Sequence, residues 1–345
     1  MSTCKTVHLK KHCDEGLPSG EHFEIIETKV NPADVADGDI CVQALVMSVD
    51  PYLRGGIKTG RGKNPGDAMS GFIAGKILAS KNKDWAVGDL IGAALPFSTV
   101  QIVTQKTIEA NPMMWKLTGK LTEEQISYGI GVLGMPGSTA YGGLIDILNP
   151  VEGQTIFVSG AAGAVGSMVG MLAKNVFNCK VIGSCGGPEK CKLVEEKFGF
   201  DFTIDYKKCP DRESLAKALK EAAPDGIDMY FDNVGGIHFE AAFDSLRPKG
   251  RIAVCGGISQ YNTTNPSLCA INPMQMIYTF QRIEGFVCAP WLTGKKGNFL
   301  QDMHGWLKDG KIKAEESFFD GIENWSVAFN GLFTGANKGK AVVRL

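Results

Sequence analysis

The chain has 345 residues, 44% hydrophobic and 21% charged, which is close to the globular average and long enough for two domains. Its 36 basic and 37 acidic side chains leave a formal net charge of -1, so no basic field favours nucleic acid or an anionic membrane. Ten scattered cysteines without a CxxC pair argue against a zinc ribbon or a thioredoxin-type redox site.

The N-terminal MSTCKTVHLKKHCDEG has no apolar stretch and reads as mature protein rather than signal peptide. Cytoplasmic location with reduced thiols is the expectation, and the sequons at Asn262 and Asn324 are chance matches. Up to about Leu117 the chain reads as β-rich, with DICVQALVMSVDPYL alternating apolar and polar positions and GFIAGKILAS and VGDLIGAAL as further short runs. Pro112 and Gly119 punctuate the end of this region, and Thr122 then caps a helix with Glu123 and Glu124 in its first turn.

Strand and helix signals alternate from there. Strands are predicted at 155–159, 180–184, 202–205, 227–231 and 251–255, and helices at 164–177, 189–198, 212–222 and 239–246. Gly199 stops the second helix and Pro248 the fourth, while His238 reads as polar surface at a helix start. A strand at 282–287, a helix in NFLQDMHGWLKDG and a closing strand KAVVRL complete the chain. Such alternation means βαβ units and a parallel sheet, an α/β fold.

The stretch TIFVSGAAGAVGSMVGMLAKNVF has no charge from Gln154 to Ala173. Four glycines and two serines make it a poor membrane span. It reads better as a strand, a turn and a helix, with Ala161 to Gly166 an A-x-G-x-x-G form of the dinucleotide fingerprint. Gly163 lets backbone approach a pyrophosphate, and Gly166 lets the helix pack on the strand. An acidic residue should end the next strand if the ligand is NAD. VIGSCGGPEK has none there, and Lys190 follows where it can meet a 2′-phosphate, so NADPH is the expected cofactor. Asn233, after a strand at the sheet's carboxyl edge, is a further expected contact.

The five histidines have no ligand spacing, and no Tyr-x-x-x-Lys pair occurs. Neither a metal nor a Tyr-Lys acid is therefore expected to polarise a carbonyl. This points to a reduction helped by the substrate's own conjugation.

VDPYLRG, GVLGMPGSTAYGGL, VSGAAGAVG, FDNVGG, GRIAVCGGISQYN, IEGFV and FTGANKGKAVV resemble the zinc-independent medium-chain reductases. The group they resemble most is the NADP-dependent alkenal double-bond reductases and prostaglandin reductases, from about Cys4 to the C-terminus. The resemblance implies a Rossmann-type doubly wound parallel sheet plus a GroES-like β-rich catalytic domain. The expected division is 1–122 completed by 300–345 for the catalytic domain, and 123–299 for the Rossmann domain.

The same resemblance implies cofactor contacts at Gly163, Ala164, Val165, Gly166, Lys190, Tyr206, Asn233, Cys255, Gly256, Ile258, Ser259, Tyr261, Phe286, Val287, Cys288 and Asn337. It places Tyr52 and Tyr261 on the substrate side and implies a homodimer. The small-molecule substrate would be an α,β-unsaturated aldehyde or ketone. Gly187-Pro188 departs from the family's serine and polar residue, and the segments 262–275 and 289–298 also differ. Arg54 is either a phosphate contact or a loop cap. Quinone reduction and a non-catalytic NADPH scaffold are the rival readings.

Overall fold

In a computed structural model that describes residues 1–345, hydrogen bonding sorts the chain into fifteen strands. They are β1 Ser2–Leu9, β2 Phe23–Val30, β3 Ile40–Ser48, β4 Ser70–Ser80, β5 Leu90–Pro96, β6 Val100–Val103, β7 Met114–Lys116, β8 Thr155–Ser159, β9 Lys180–Cys185, β10 Phe202–Asp205, β11 Ile227–Asp232, β12 Leu246–Val254, β13 Arg282–Gly285, β14 Glu316–Asp320 and β15 Lys340–Arg344. Two compact units result, Met1–Met135 with Glu316–Leu345, and Pro136–Glu315. Residues 123–135 thus group with the first unit and 300–315 with the second, unlike the division expected from sequence. The reason at the second boundary is local. The amphipathic helix Phe299–Lys308 buries Phe299 and Met303, and Tyr141 donates to its Asp302 at 2.7 Å, so it belongs with its neighbours in the second unit.

The first unit is the β-rich one. Its larger sheet runs β14-β15-β3-β4-β5-β7, with β6 on β3, and all of these pairs but β14–β15 are antiparallel. β1 and β2 form a separate antiparallel pair. The C-terminal segment completes the core rather than trailing from it. Trp325 stacks on Phe329 and meets Phe97 and Phe23, each ring 5.1–5.2 Å away. Lys340 is buried, 3.2 Å from the buried Asp50, and donates to the Val49 carbonyl at 2.7 Å. A buried charge held this way resists removal of either partner.

In the second unit six parallel strands run β10-β9-β8-β11-β12-β13. β8 is buried throughout, as a parallel strand covered on both faces must be. From β8 the order proceeds outward through β9 and β10, and the chain then returns to place β11 on the other side. The switch point therefore lies between β8 and β11, where such sheets open a crevice at their carboxyl ends. The helices follow the expected spacing at Ala164–Asn175, Pro188–Phe198, Arg212–Ala222 and Ile237–Asp244. Asp211 caps the third by accepting from Ser214 N–H at 2.8 Å, and Gly199 ends the second in the left-handed region at φ 75°.

Three expectations need correction. The helix predicted at 239–246 ends at Asp244, and Pro248 lies inside β12. The proline is tolerated because pairing with β11 slips between Ile227 and Met229, and Lys249 takes φ 66° in the resulting irregularity. Thr122 does start a helical segment, but Glu123–Ile130 is a 3₁₀-helix, fastened by a capping box with Gln125. The strand predicted to reach Val287 stops at Gly285. No helix is long and apolar enough to cross a membrane.

Candidate active site

The fingerprint turn is built by steric exclusion. After β8, Gly160 takes φ 63°, and Gly163 N–H donates back to Gly160 O at 2.9 Å. A Cβ on Gly166 would lie 2.4 Å from the Gly160 oxygen, so only glycine lets the helix sit this close to the strand. Gly170 answers a different need, since a Cβ there would fall 1.9 Å from the Phe200 ring. The first-turn N–H groups of Ala164, Val165 and Gly166 have no carbonyl one turn earlier in the helix, and with the helix dipole they offer an anion site.

The second turn joins β9 to the helix Pro188–Phe198. Gly187 takes φ 90°, and its N–H donates to Asp205 Oδ1 at 2.8 Å. That carboxylate also accepts from Lys207 N–H at 3.2 Å, so the acidic group beside this turn is committed to backbone. Cys185, not an acid, ends β9, and Lys190 lies half-buried in the helix's first turn. Tyr206 lies across the turn, its hydroxyl 2.9 Å from where a Cβ on Gly186 would be. Burial pushes the Tyr206 hydroxyl above its ordinary range.

The third part of the edge is organised by Asp232, at the end of β11. Its carboxylate accepts from Tyr230 O–H at 2.6 Å, Gly235 N–H at 2.8 Å and Val234 N–H at 3.0 Å. Its carbonyl accepts from Cys255 N–H at 2.9 Å and Gly256 N–H at 3.0 Å. Burial raises its pKa, and the hydrogen bonds act in the opposite sense. Asn233 is fixed by bonds to β8, its N–H to Ser159 Oγ at 3.0 Å and its side-chain amide to Ser159 O at 2.7 Å. Gly160 and Asn233 therefore face each other across the switch point, with 3.5 Å between a Cβ on Gly160 and that of Asn233.

Beyond β12, Ser259 is held by Val234 O, which accepts from its hydroxyl at 2.6 Å, and Ile258 N–H donates to Asn233 O at 3.2 Å. Tyr261 turns back over this loop, its hydroxyl oxygen accepting from Gly257 N–H at 3.2 Å. Burial first, then the nearby Cys255 and Asp232, push its pKa up, with the Gly257 bond acting the other way. The hydroxyl is therefore protonated at neutral pH and still has its proton to donate.

Other expected positions divide. The half-buried Phe286 ring packs edge-on against Phe231 and Trp291, both at 5.9 Å. Val287 is exposed and Cys288 half-buried. Trp291 anchors the segment 289–298 through its indole N–H to Asp146. Two residues lie in the first unit. Tyr52 is half exposed ahead of the short helix Leu53–Gly56, and Asn337 donates to Gly339 O at 2.8 Å. Arg54 is wholly buried and donates to Cys13 O at 2.5 Å and Gly16 O at 3.0 Å, which resolves it as a loop cap. No group of three or more His, Cys, Asp or Glu side chains converges to hold a metal ion.

His238 corrects another expectation. It is 4% exposed, its Nε2 is 2.8 Å from Ser184 Oγ, and Tyr206 meets its ring edge-on at 5.5 Å. Burial pulls its pKa down to about 4. Asp232 was likewise missed, though an acid ending the apolar strand IDMYFD can be buried only if hydrogen-bonded.

Comparison with known proteins agrees with this geometry. Residues 5–110 match the family described as the N-terminal domain of oxidoreductase, and 164–296 match zinc-binding dehydrogenase. Rat (Rattus norvegicus) prostaglandin reductase 1 is 39% identical over the whole of both chains. The NADP⁺-dependent 2-alkenal reductase of Nicotiana tabacum is 36% identical over 98% of this chain and 96% of its own. The crystal structure of CurA in complex with NADPH, from Vibrio vulnificus, superposes with a TM-score of 0.86 at 34% identity, covering 99% and 98% of the two chains. The fold is that of a medium-chain dehydrogenase/reductase. Within that class the chain belongs to the zinc-independent, NADP-dependent alkenal and prostaglandin reductase family.

His238 makes stability depend on pH. The unfolded ring titrates near 6.5 and the folded ring near 4, so the unfolded state binds more protons between those values. Stability is full above that window and falls by about 3 kcal/mol as pH drops through it. Urea midpoints at pH 7 and pH 4.5 should diverge more for the wild type than for His238→Gln. An equal acid loss in both proteins would remove the histidine's part.

Proposed function

We propose that this protein reduces the carbon–carbon double bond of α,β-unsaturated aldehydes and ketones with NADPH, and that Tyr261 is the catalytic donor. The observation that carries the reading is the Tyr261 hydroxyl, held by Gly257 N–H as an acceptor so that its own proton is left for a substrate oxygen. The relative named a 2-alkenal reductase supports the substrate class, and the neighbour bound to NADPH supports the cofactor.

The residues fit such a cofactor. The close approach of Gly166 to the Gly160 carbonyl seats the helix N-terminus at the end of β8, and the N–H groups of Ala164, Val165 and Gly166 would meet a pyrophosphate's charge there. Lys190 and Tyr206 would hold the 2′-phosphate, and the Asp205 carboxylate beside that turn is engaged by the Gly187 and Lys207 N–H groups. Asn233, Cys255, Gly256, Ile258, Ser259 and Phe286 would serve the nicotinamide half. Val287, Cys288 and Asn337 complete the proposed set, and Tyr52 is proposed on the substrate side.

NADPH, when bound, supplies the hydride that reaches the β-carbon. As the double bond is reduced, charge grows on the carbonyl oxygen. A hydrogen bond from Tyr261 to that oxygen strengthens with the charge, so it stabilises the transition state more than the ground state. With its pKa raised, Tyr261 acts as a donor and not as a base. A homodimer and a cytosolic location belong to the same proposal. The edge strand β13 and the exposed Ile277, Tyr278 and Phe280 beside it support the first. Ten cysteines, none in a disulfide, support the second. A monomeric mass by sedimentation would remove the dimer.

Two substitutions test the assignments. Lys190→Ala should weaken NADPH by about 1.5–3 kcal/mol, the worth of a charge-assisted phosphate contact, and leave NADH nearly unchanged. Equal losses for both cofactors would show that Lys190 does not read the phosphate. Tyr261→Phe should lower kcat on a simple enone roughly ten- to a thousandfold while NADPH affinity changes little. Unchanged turnover would leave the tyrosine without a catalytic role.

A further inference from the structure

Cys185 and Cys191 frame the turn on which the 2′-phosphate reading rests. Cys185 ends β9, is 2% exposed, and its thiol lies 3.5 Å from Cys191 Sγ. Cys191 lies one helical turn on, half-buried, with its N–H donating to Gly187 O at 3.2 Å. Lys190 is the residue immediately before it. We propose that Cys185 and Cys191 form a reversible disulfide under hydroperoxide stress, and that closing it lowers NADPH affinity.

The geometry sets the roles. Cys185 is fixed, because β9 is paired on both sides, with Ser184 opposite Ser159 of β8 and Cys185 opposite Asp205 of β10. Burial also pushes its thiol well up, so Cys191 is the group that meets an oxidant. The Cys191 sulfur attacks the terminal oxygen of a hydroperoxide. A sulfur–oxygen bond forms, the oxygen–oxygen bond breaks, and the thiol proton leaves with the alcohol. Cys185 then attacks Cys191 Sγ. The disulfide bond forms, the sulfur–oxygen bond breaks, and the Cys185 proton leaves as water with the hydroxide. Two thiols are oxidised by two electrons, and one hydroperoxide is reduced to alcohol and water.

The sulfurs must close from 3.5 Å to about 2.05 Å. With the strand fixed, the helix's first turn supplies the movement, and Gly187 at φ 90° is the joint it turns on. Lys190 moves with Cys191. The effect on cofactor rests on the assignment of Lys190 to the 2′-phosphate, whereas the bond itself does not.

The test uses the full chain. After hydrogen peroxide, free thiols are blocked with iodoacetamide in denaturant, and the protein is cut with trypsin without reduction. Cleavage after Lys180, Lys190 and Lys192 should yield peptide 181–190 joined to peptide 191–192. The Kd for NADPH should rise about tenfold or more and recover with dithiothreitol, while that for NADH stays put. Cys191→Ser should show neither change. If both thiols carry the blocking label after peroxide, the pair is not a modification site. If the cross-link forms and NADPH affinity holds while Lys190→Ala still weakens it, the coupling is overturned. If Lys190→Ala also leaves NADPH affinity unchanged, the phosphate assignment fails and the disulfide stands.

Discussion

One buried carboxylate governs the edge of the sheet on which the site depends. Asp232 is 1% exposed, and an acid so placed is costly unless every lone pair is used. Its side chain takes the N–H groups of Val234 and Gly235, and its carbonyl takes those of Cys255 and Gly256. The turns after β11 and β12 are thereby tied to one residue. Tyr230 and Ser159 bring β8 into the same network, with the Tyr230 hydroxyl, already donating to Asp232, 2.9 Å from Ser159 Oγ. The loops that present Asn233, Ser259 and Tyr261 are consequently positioned by polar bonds within a rigid sheet. Such networks are stabilising only when fully satisfied.

That arrangement suits a reduction in which little chemistry is left to the protein. An enone spreads charge from the β-carbon to its oxygen, so a single well-placed donor meets the developing charge. The loop that holds Tyr261 is anchored at Ile258 and Ser259 by the carbonyls of Asn233 and Val234. In the first unit the C-terminal segment is locked by Trp325 on Phe329 and by Lys340 against Asp50.

Much of the second unit was legible in the sequence. β8 through β11 and the helices between them have strong periodicity and clear stops, and the glycine fingerprint has one steric meaning, visible at Gly166. Illegible features were those decided by tertiary packing. Pro248 reads as a helix terminator, yet a slip in strand pairing absorbs it. His238 reads as surface by residue type, but Ser184, distant in sequence, receives it in the interior. Arg54 is ambiguous until the carbonyls of Cys13 and Gly16 are seen around it.

The central claim is that hydride reaches the β-carbon and the carbonyl survives. Its most direct test is product analysis after turnover of a simple enone with NADPH deuterated at C4. The account predicts a saturated ketone carrying deuterium at the β-carbon. An allylic alcohol with deuterium on the carbinol carbon would contradict it.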